Sequence, residues 1–151
     1  MRRRDREQSR EFALEVVDTC NYAALSTVNA DGTPHCVPIT IVREGENIYF
    51  HGALAGQKME NITARPQISM ACVSRAITKQ QTYSVDYASA IITGNASLVT
   101  EKEEKAHALR ILCVRHTPEA MDGVEAYIAS GIDHTAVVRI EITSITGKAN
   151  T

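Results

Sequence analysis

The chain has no tryptophan, and its four cysteines form no C-x-x-C pair. Cys20, Cys36, Cys72 and Cys113 are scattered, each among apolar neighbours. That spacing excludes a clustered zinc site and a disulfide framework, so all four are expected to be reduced core residues. No apolar run approaches the roughly 18 residues of a membrane-spanning helix. The N-terminus is charged and lacks the apolar stretch of a secretory signal, which places the expected chain in the cytoplasm, away from membranes. Arg2-Arg3-Arg4 is followed at once by Asp5, Arg6 and Glu7, and reads as a solvated helix face. A net charge of −2 gives no reason to expect nucleic acid as a partner. Ser26, Ser74 and Ser89 lie in no G-x-S-x-G elbow, and the acids Glu101, Glu103 and Glu104 sit on a helix face, so neither a serine hydrolase nor a paired-acid site is supported.

What remains is ordinary globular material. With 151 residues, 44% hydrophobic and 23% charged, residues 1–151 are expected to form one domain. Residues 5–20 read as a helix, with Phe12, Val16 and Cys20 at helical spacing and Ala13 and Val17 beside them. The period then changes. Strands are expected at 22–28 and 35–42, joined by the turn Asn29-Ala30-Asp31-Gly32; Pro34 and Pro38 mark the second as an edge or bulged strand. Glu44-Gly45-Glu46-Asn47 turns into a short strand at 48–51. A helix at 56–64 is stopped by Arg65-Pro66. Residues 67–74 and 83–99 are strand-rich, with Gly94 at a bend or bulge. A helix follows at 101–116, with Ala106, Leu109 and Cys113 inward. Thr117-Pro118 opens another short helix, and 134–142 forms a last long strand, with a short piece at 145–148. Tight hairpins join antiparallel strands only, so the order excludes a doubly wound dinucleotide fold. It predicts an α+β protein, mainly β: a small antiparallel barrel with helices packed outside.

The segment 51–58 carries the chemistry. A strand ends at His51, Gly52 and Gly56 let the backbone approach a ligand, and a helix begins near residue 56. Its unpaired N–H groups and positive dipole end favour an anion. Lys58 in the first turn opposes that dipole and gains more from a bound phosphate than from the helix. The segment is not a Walker A loop, because the lysine does not directly follow the second glycine and Met59 stands where a magnesium-binding hydroxyl would be needed. Residues alone leave two readings: an anion cradle, or a glycine-containing turn with a solvent-exposed lysine.

His51-x-Ala53-x-x-Gly56-x-Lys58, preceded by a strand containing Pro38, resembles the pyridoxamine 5′-phosphate oxidase-like split-barrel superfamily, and within it the nitroimidazole-resistance type of FMN-binding protein. Tyr87-x-Ser89-x-Ile91-x-x-Gly94, Arg139-x-Glu141 with Gly147-Lys148, and the charged N-terminal helix ending near Cys20 extend the resemblance along nearly the whole chain. It implies an FMN-binding split β-barrel, a homodimer with flavin at the interface, and a flavin-dependent oxidoreductase. Electrons would pass from a reduced nicotinamide or another donor to a small, nitroaromatic or similar acceptor. It implies that Gly52, Ala53, Gly56, Gln57 and Lys58 serve the phosphate and ribityl end, with Ser89 as a further contact from one or the other subunit. The backbone of Pro38, Ile39 and Thr40 would lie along the isoalloxazine. His51 would be catalytic or cofactor-orienting, or would ligate haem iron as in some split-barrel relatives; otherwise it caps a strand end. Gly52, Gln57 and Ala88 stand where serine, a basic residue and a larger polar residue are common. His35, His107, His116 and His134 are expected in structural or surface roles. The alternative is a non-catalytic protein that stores or senses flavin or haem.

Overall fold

A computed structural model describes residues 3–150. Eight strands and four α-helices alternate along it. The strands are β1 (Glu7–Gln8), β2 (Ala23–Val28), β3 (Pro34–Ile39), β4 (Val42–Glu44), β5 (Asn47–Ala53), β6 (Gln67–Lys79), β7 (Ser84–Leu98) and β8 (Thr135–Asn150). The helices are α1 (Arg10–Thr19), α2 (Gln57–Ala64), α3 (Lys102–His116) and α4 (Val124–Gly131). All pairings are antiparallel, in the order β3-β2-β6-β7-β8-β5-β4, with β1 added to β8. The sheet coils as a split barrel, the α+β fold expected from the sequence.

The barrel interior is filled by Leu25, Ile48, Phe50, Met70, Ile92, Val138 and Ile140, all essentially inaccessible. Ala13, Val16, Val17 and Cys20 of α1 join the same core. On the other face of β5 and β8, Tyr49 and Val137 pack against Ala108 and Leu112 of α3. Strand alternation therefore buries both faces of β5. Gly94 lies at the bulge where β7 shifts register against β8; a Cβ there would sit 2.6 Å from the Glu141 carbonyl oxygen.

Several expectations need correction. The first helix begins at Arg10, not residue 5, because the Ser9 hydroxyl accepts from the Phe12 N–H and caps it. Residues 7–8 instead pair with Lys148 and Gly147, and Arg4–Arg6 form a 3-10 turn. The arginine run is thus no helix face: Arg3 grips Asp5, while Arg2 lies outside the described residues. The last strand runs unbroken to Asn150, and β6 runs on to Lys79. In α3 it is Ala108 and Leu112 that face the sheet, Ala106 and Cys113 pack against Val124, Ile128 and Ile132 of the α4 region, and Leu109 packs against both clusters. Of the cysteines only Cys20 and Cys72 are buried; Cys36 on the edge strand is exposed, and Cys113 is half-buried because it faces a cavity.

Candidate functional site

Strand β5 ends at Ala53, and Gly56, with φ +132°, turns the chain into α2. No side chain caps this helix; the Gly56 carbonyl accepts from the N–H groups of Met59 and Glu60, leaving those of Gln57 and Lys58 facing outward. The Lys58 side chain folds back over Gly52. A Cβ on Gly52 would lie 3.2 Å from Lys58 Cε and 3.3 Å from its Nζ. Serine at 52 would therefore compete with the lysine for the same space, which gives the glycine a physical reason. Among the described residues Lys58 forms no ion pair. A half-buried ammonium beside an uncapped helix N-terminus forms a cradle able to hold an anion.

The cradle is anchored from below. Asn61, 3% exposed, donates to Thr27 Oγ1 at 3.0 Å and to Asn29 Oδ1 at 2.9 Å. Its own Oδ1 accepts from Gln57 Nε2 at 3.0 Å. Gln57 thus helps fix α2 against β2 and the following turn, as well as standing at the mouth of the cradle. Nothing in the local sequence around Asn61 signals this; it becomes visible only when α2 lies on β2.

His51 is one residue before Gly52, so alternation sends its ring to the opposite face of β5. There it meets a cavity of about 540 Å³ between the sheet, α3 and α4, lined also by Thr40, Leu112, Cys113, His116 and Tyr127. His51 is exposed at its rim, and burial of the ring together with the nearby His116 holds its pKa below the usual histidine value. His116, at the end of α3, is within 2.8 Å of the Ile41 carbonyl through Nε2. Its place beside His51 could not be read from sequence, since the two lie on separate elements. His107 pairs with Glu44 on the surface at 3.0 Å, in keeping with a structural role.

Pro38 and Ile39 lie on β3, a sheet edge, paired with Ala24 and Ala23 on one side and open on the other. Thr40 follows directly and reaches the cavity, so the end of β3 and His51 do converge. Ser89 does not join them. It faces Lys148 across β7 and β8, donating to that residue's carbonyl at 3.4 Å, while Gly52 faces Ala136 a dozen residues away on β8. At about 3.3 Å per residue that is roughly 40 Å of curved strand. Tyr87 lies near Ser89, with Lys148 over its ring at 5.5 Å and Arg6 within 3.4 Å of its hydroxyl. Among the described residues no helix is long and apolar enough to cross a membrane.

Comparison with known proteins bears on the fold. Many solved structures share the fold, among them the following three. A flavocytochrome from Azotobacter vinelandii aligns with TM-score 0.85 and 21% identity, over 100% of this chain and 72% of its own. A 5-nitroimidazole antibiotic resistance protein (so described provisionally) from Bacteroides thetaiotaomicron gives 0.78 and 19%, over 93% and 84%. An FAD- and haem-binding protein from Mycobacterium smegmatis gives 0.78 and 20%, over 96% and 73%. No curated protein matches the sequence. The family model described as pyridoxamine 5′-phosphate oxidase matches residues 9–149, and the chain belongs to that family.

Proposed function

We propose that the chain is a flavin-binding oxidoreductase that holds FMN by its phosphate in the cradle formed by the 52–58 turn and Lys58. The observation that carries this reading is the Lys58 ammonium, laid over Gly52 beside an uncapped helix end, with no counter-ion among the described residues. A phosphate supplies what both groups lack. Kinship with proteins described as a flavocytochrome and as FAD- and haem-binding supports a flavin in general.

The flavin, when bound, supplies the redox chemistry; the protein supplies binding, orientation and electrostatics. Gly52 and Gly56 let backbone N–H groups approach the phosphate, and the Asn61 network keeps α2 from shifting under it. The open edge of β3 at Pro38 and Ile39 offers backbone groups to a planar ring. The lowered pKa favours neutral His51 near pH 7, so its unprotonated ring nitrogen can accept a proton from a molecule in the cavity. That cavity, apolar and bounded by His51, His116 and Thr40, suits a small aromatic acceptor, nitroaromatic included. A reduced nicotinamide is the proposed donor. Ser89 lies too far along the sheet to reach the cradle of its own chain, which supports a homodimer in which it serves the partner's flavin. The single domain would work in the cytoplasm.

Purified protein titrated with FMN should acquire flavin absorbance that bleaches anaerobically with a reduced nicotinamide and returns on adding a nitroaromatic. A protein that takes up FMN yet resists every donor would be a binding protein; one that takes up none would end the proposal. The pair His51 and His116 on one apolar cavity also favours a second reading, in which the cavity holds haem. Haemin titration would then give a Soret band that His51→Ala abolishes or shifts.

A further inference from the structure

We propose that the cavity between the sheet, α3 and α4 selects an uncharged aromatic molecule bearing a hydroxyl or amino hydrogen, which His116, Thr117 and Thr135 receive. The inference rests on the reading of this cavity as the site of a small aromatic molecule, and is independent of the flavin cradle. The space is about 540 Å³, and none of its lining residues is a lysine, arginine, aspartate or glutamate. Leu109, Leu112, Val124 and Ile128 supply apolar wall. A charged ligand would lose hydration there with no opposite charge to replace it, so the cavity suits a neutral ring. Thr40, His51 and Tyr127, at its edge, are exposed, so a ligand can enter from solvent.

Several polar side chains of the wall have already spent their hydrogens. His116 Nε2 is 2.8 Å from the Ile41 carbonyl, which only accepts, so this nitrogen carries the hydrogen. In the neutral ring Nδ1 is then a bare hydrogen-bond acceptor. Thr117 Oγ1 donates to the Cys113 carbonyl at 3.1 Å, and Thr135 Oγ1 donates to the Gly131 carbonyl at 2.9 Å. A hydroxyl that has given its one hydrogen keeps only lone pairs for a ligand. Three residues of one cavity thus offer acceptors, while Thr40, His51 and Tyr127 can serve either way. The Cys113 thiol is only a weak donor.

A phenol or an arylamine supplies the hydrogen that these atoms lack. A nitro group, an ether or a carbonyl only accepts, and leaves them unmatched. Among the aromatic electron acceptors proposed above, those that also carry a hydroxyl or amino group are therefore favoured. An arylamine is likewise held more tightly than the nitroarene of the same ring.

Titration calorimetry of the full chain at pH 8, where an imidazole is neutral, compares phenol with anisole and aniline with nitrobenzene. Phenol and aniline should each bind about three- to tenfold more tightly than their partners, the net worth of one hydrogen bond. Phenol should also slow alkylation of Cys113, which lines the cavity, and leave exposed Cys36 unaffected. His116→Phe and Thr135→Val keep much of the shape without the acceptor and should lower the preference for phenol. Anisole equal to phenol, or a preference unchanged in both variants, would overturn the proposal. Binding of no aromatic, or binding without protection of Cys113, would overturn it together with the reading of the cavity. FMN uptake, measured separately, tests the flavin reading. Should a variant fail to fold, the ligand pairs on the unaltered chain still decide.

Discussion

Replacing Asn61 tests how the fold holds the cradle. Its side chain is 3% exposed, donates to Thr27 and Asn29, and accepts from Gln57. Asn61→Ala removes three hydrogen bonds worth about 1 kcal/mol each net. It also strips a partner from Thr27, itself 3% exposed, and leaves a small void. Some of this is recovered where Gln57 and Asn29 turn to water, so the expected loss is about 2–4 kcal/mol. For a domain of this length that is a fall in Tm of roughly 5–15 °C. Asn61→Asp separates hydrogen bonding from volume: it keeps the size but donates to neither Thr27 nor Asn29, and should cost nearly as much. Urea unfolding followed by circular dichroism on the flavin-free protein measures both, since the chain lacks tryptophan. Either variant within about 0.5 kcal/mol of the unaltered protein would mean that the network does not anchor α2.

Other consequences can be measured alongside. Gly94→Ala would bring a methyl group to 2.6 Å from the backbone oxygen of Glu141, where no flexible side chain can yield; a loss of about 2 kcal/mol or more is expected in the same unfolding experiment. His51 has a lowered pKa, first through burial and then through His116. Its neutral form is thus favoured by folding: the stability it contributes is present above the unfolded pKa of about 6.5 and is lost as pH falls from there toward the folded value. His51→Gln should flatten the stability profile below about pH 6.5, and an unchanged profile would contradict the assigned burial.

Much of the fold was legible because local chemistry dictates it. The turn at 29–32 carries Gly32 at φ +87° and closes with a Gly32 to Asn29 backbone bond; Gly45, at φ +59°, does the same work in the next hairpin. Arg65-Pro66 stops α2 where expected. The misreadings share another cause. Residues 5–8 have helical composition, but pairing with β8 and the Ser9 cap override it. In α3, two stripes are apolar, and only the arrival of α4 determines which one faces the sheet. The site divides the same way. Gly52, Gly56 and Lys58 are close in sequence, so their coming together at one turn could be foreseen. The His51–His116 cavity and the Asn61 anchor join elements far apart in the chain, and no local pattern announces them.

Lys58 is proposed to pair with the phosphate of a flavin. Fluorescence titration of the unaltered protein and of Lys58→Ala, each with FMN and with riboflavin, tests it most directly. Loss of a charged hydrogen bond of about 1.5–3 kcal/mol should weaken FMN by roughly 10- to 150-fold and leave the phosphate-free riboflavin almost unaffected. Equal FMN affinity in the two proteins, or an equal loss for both flavins, would contradict it.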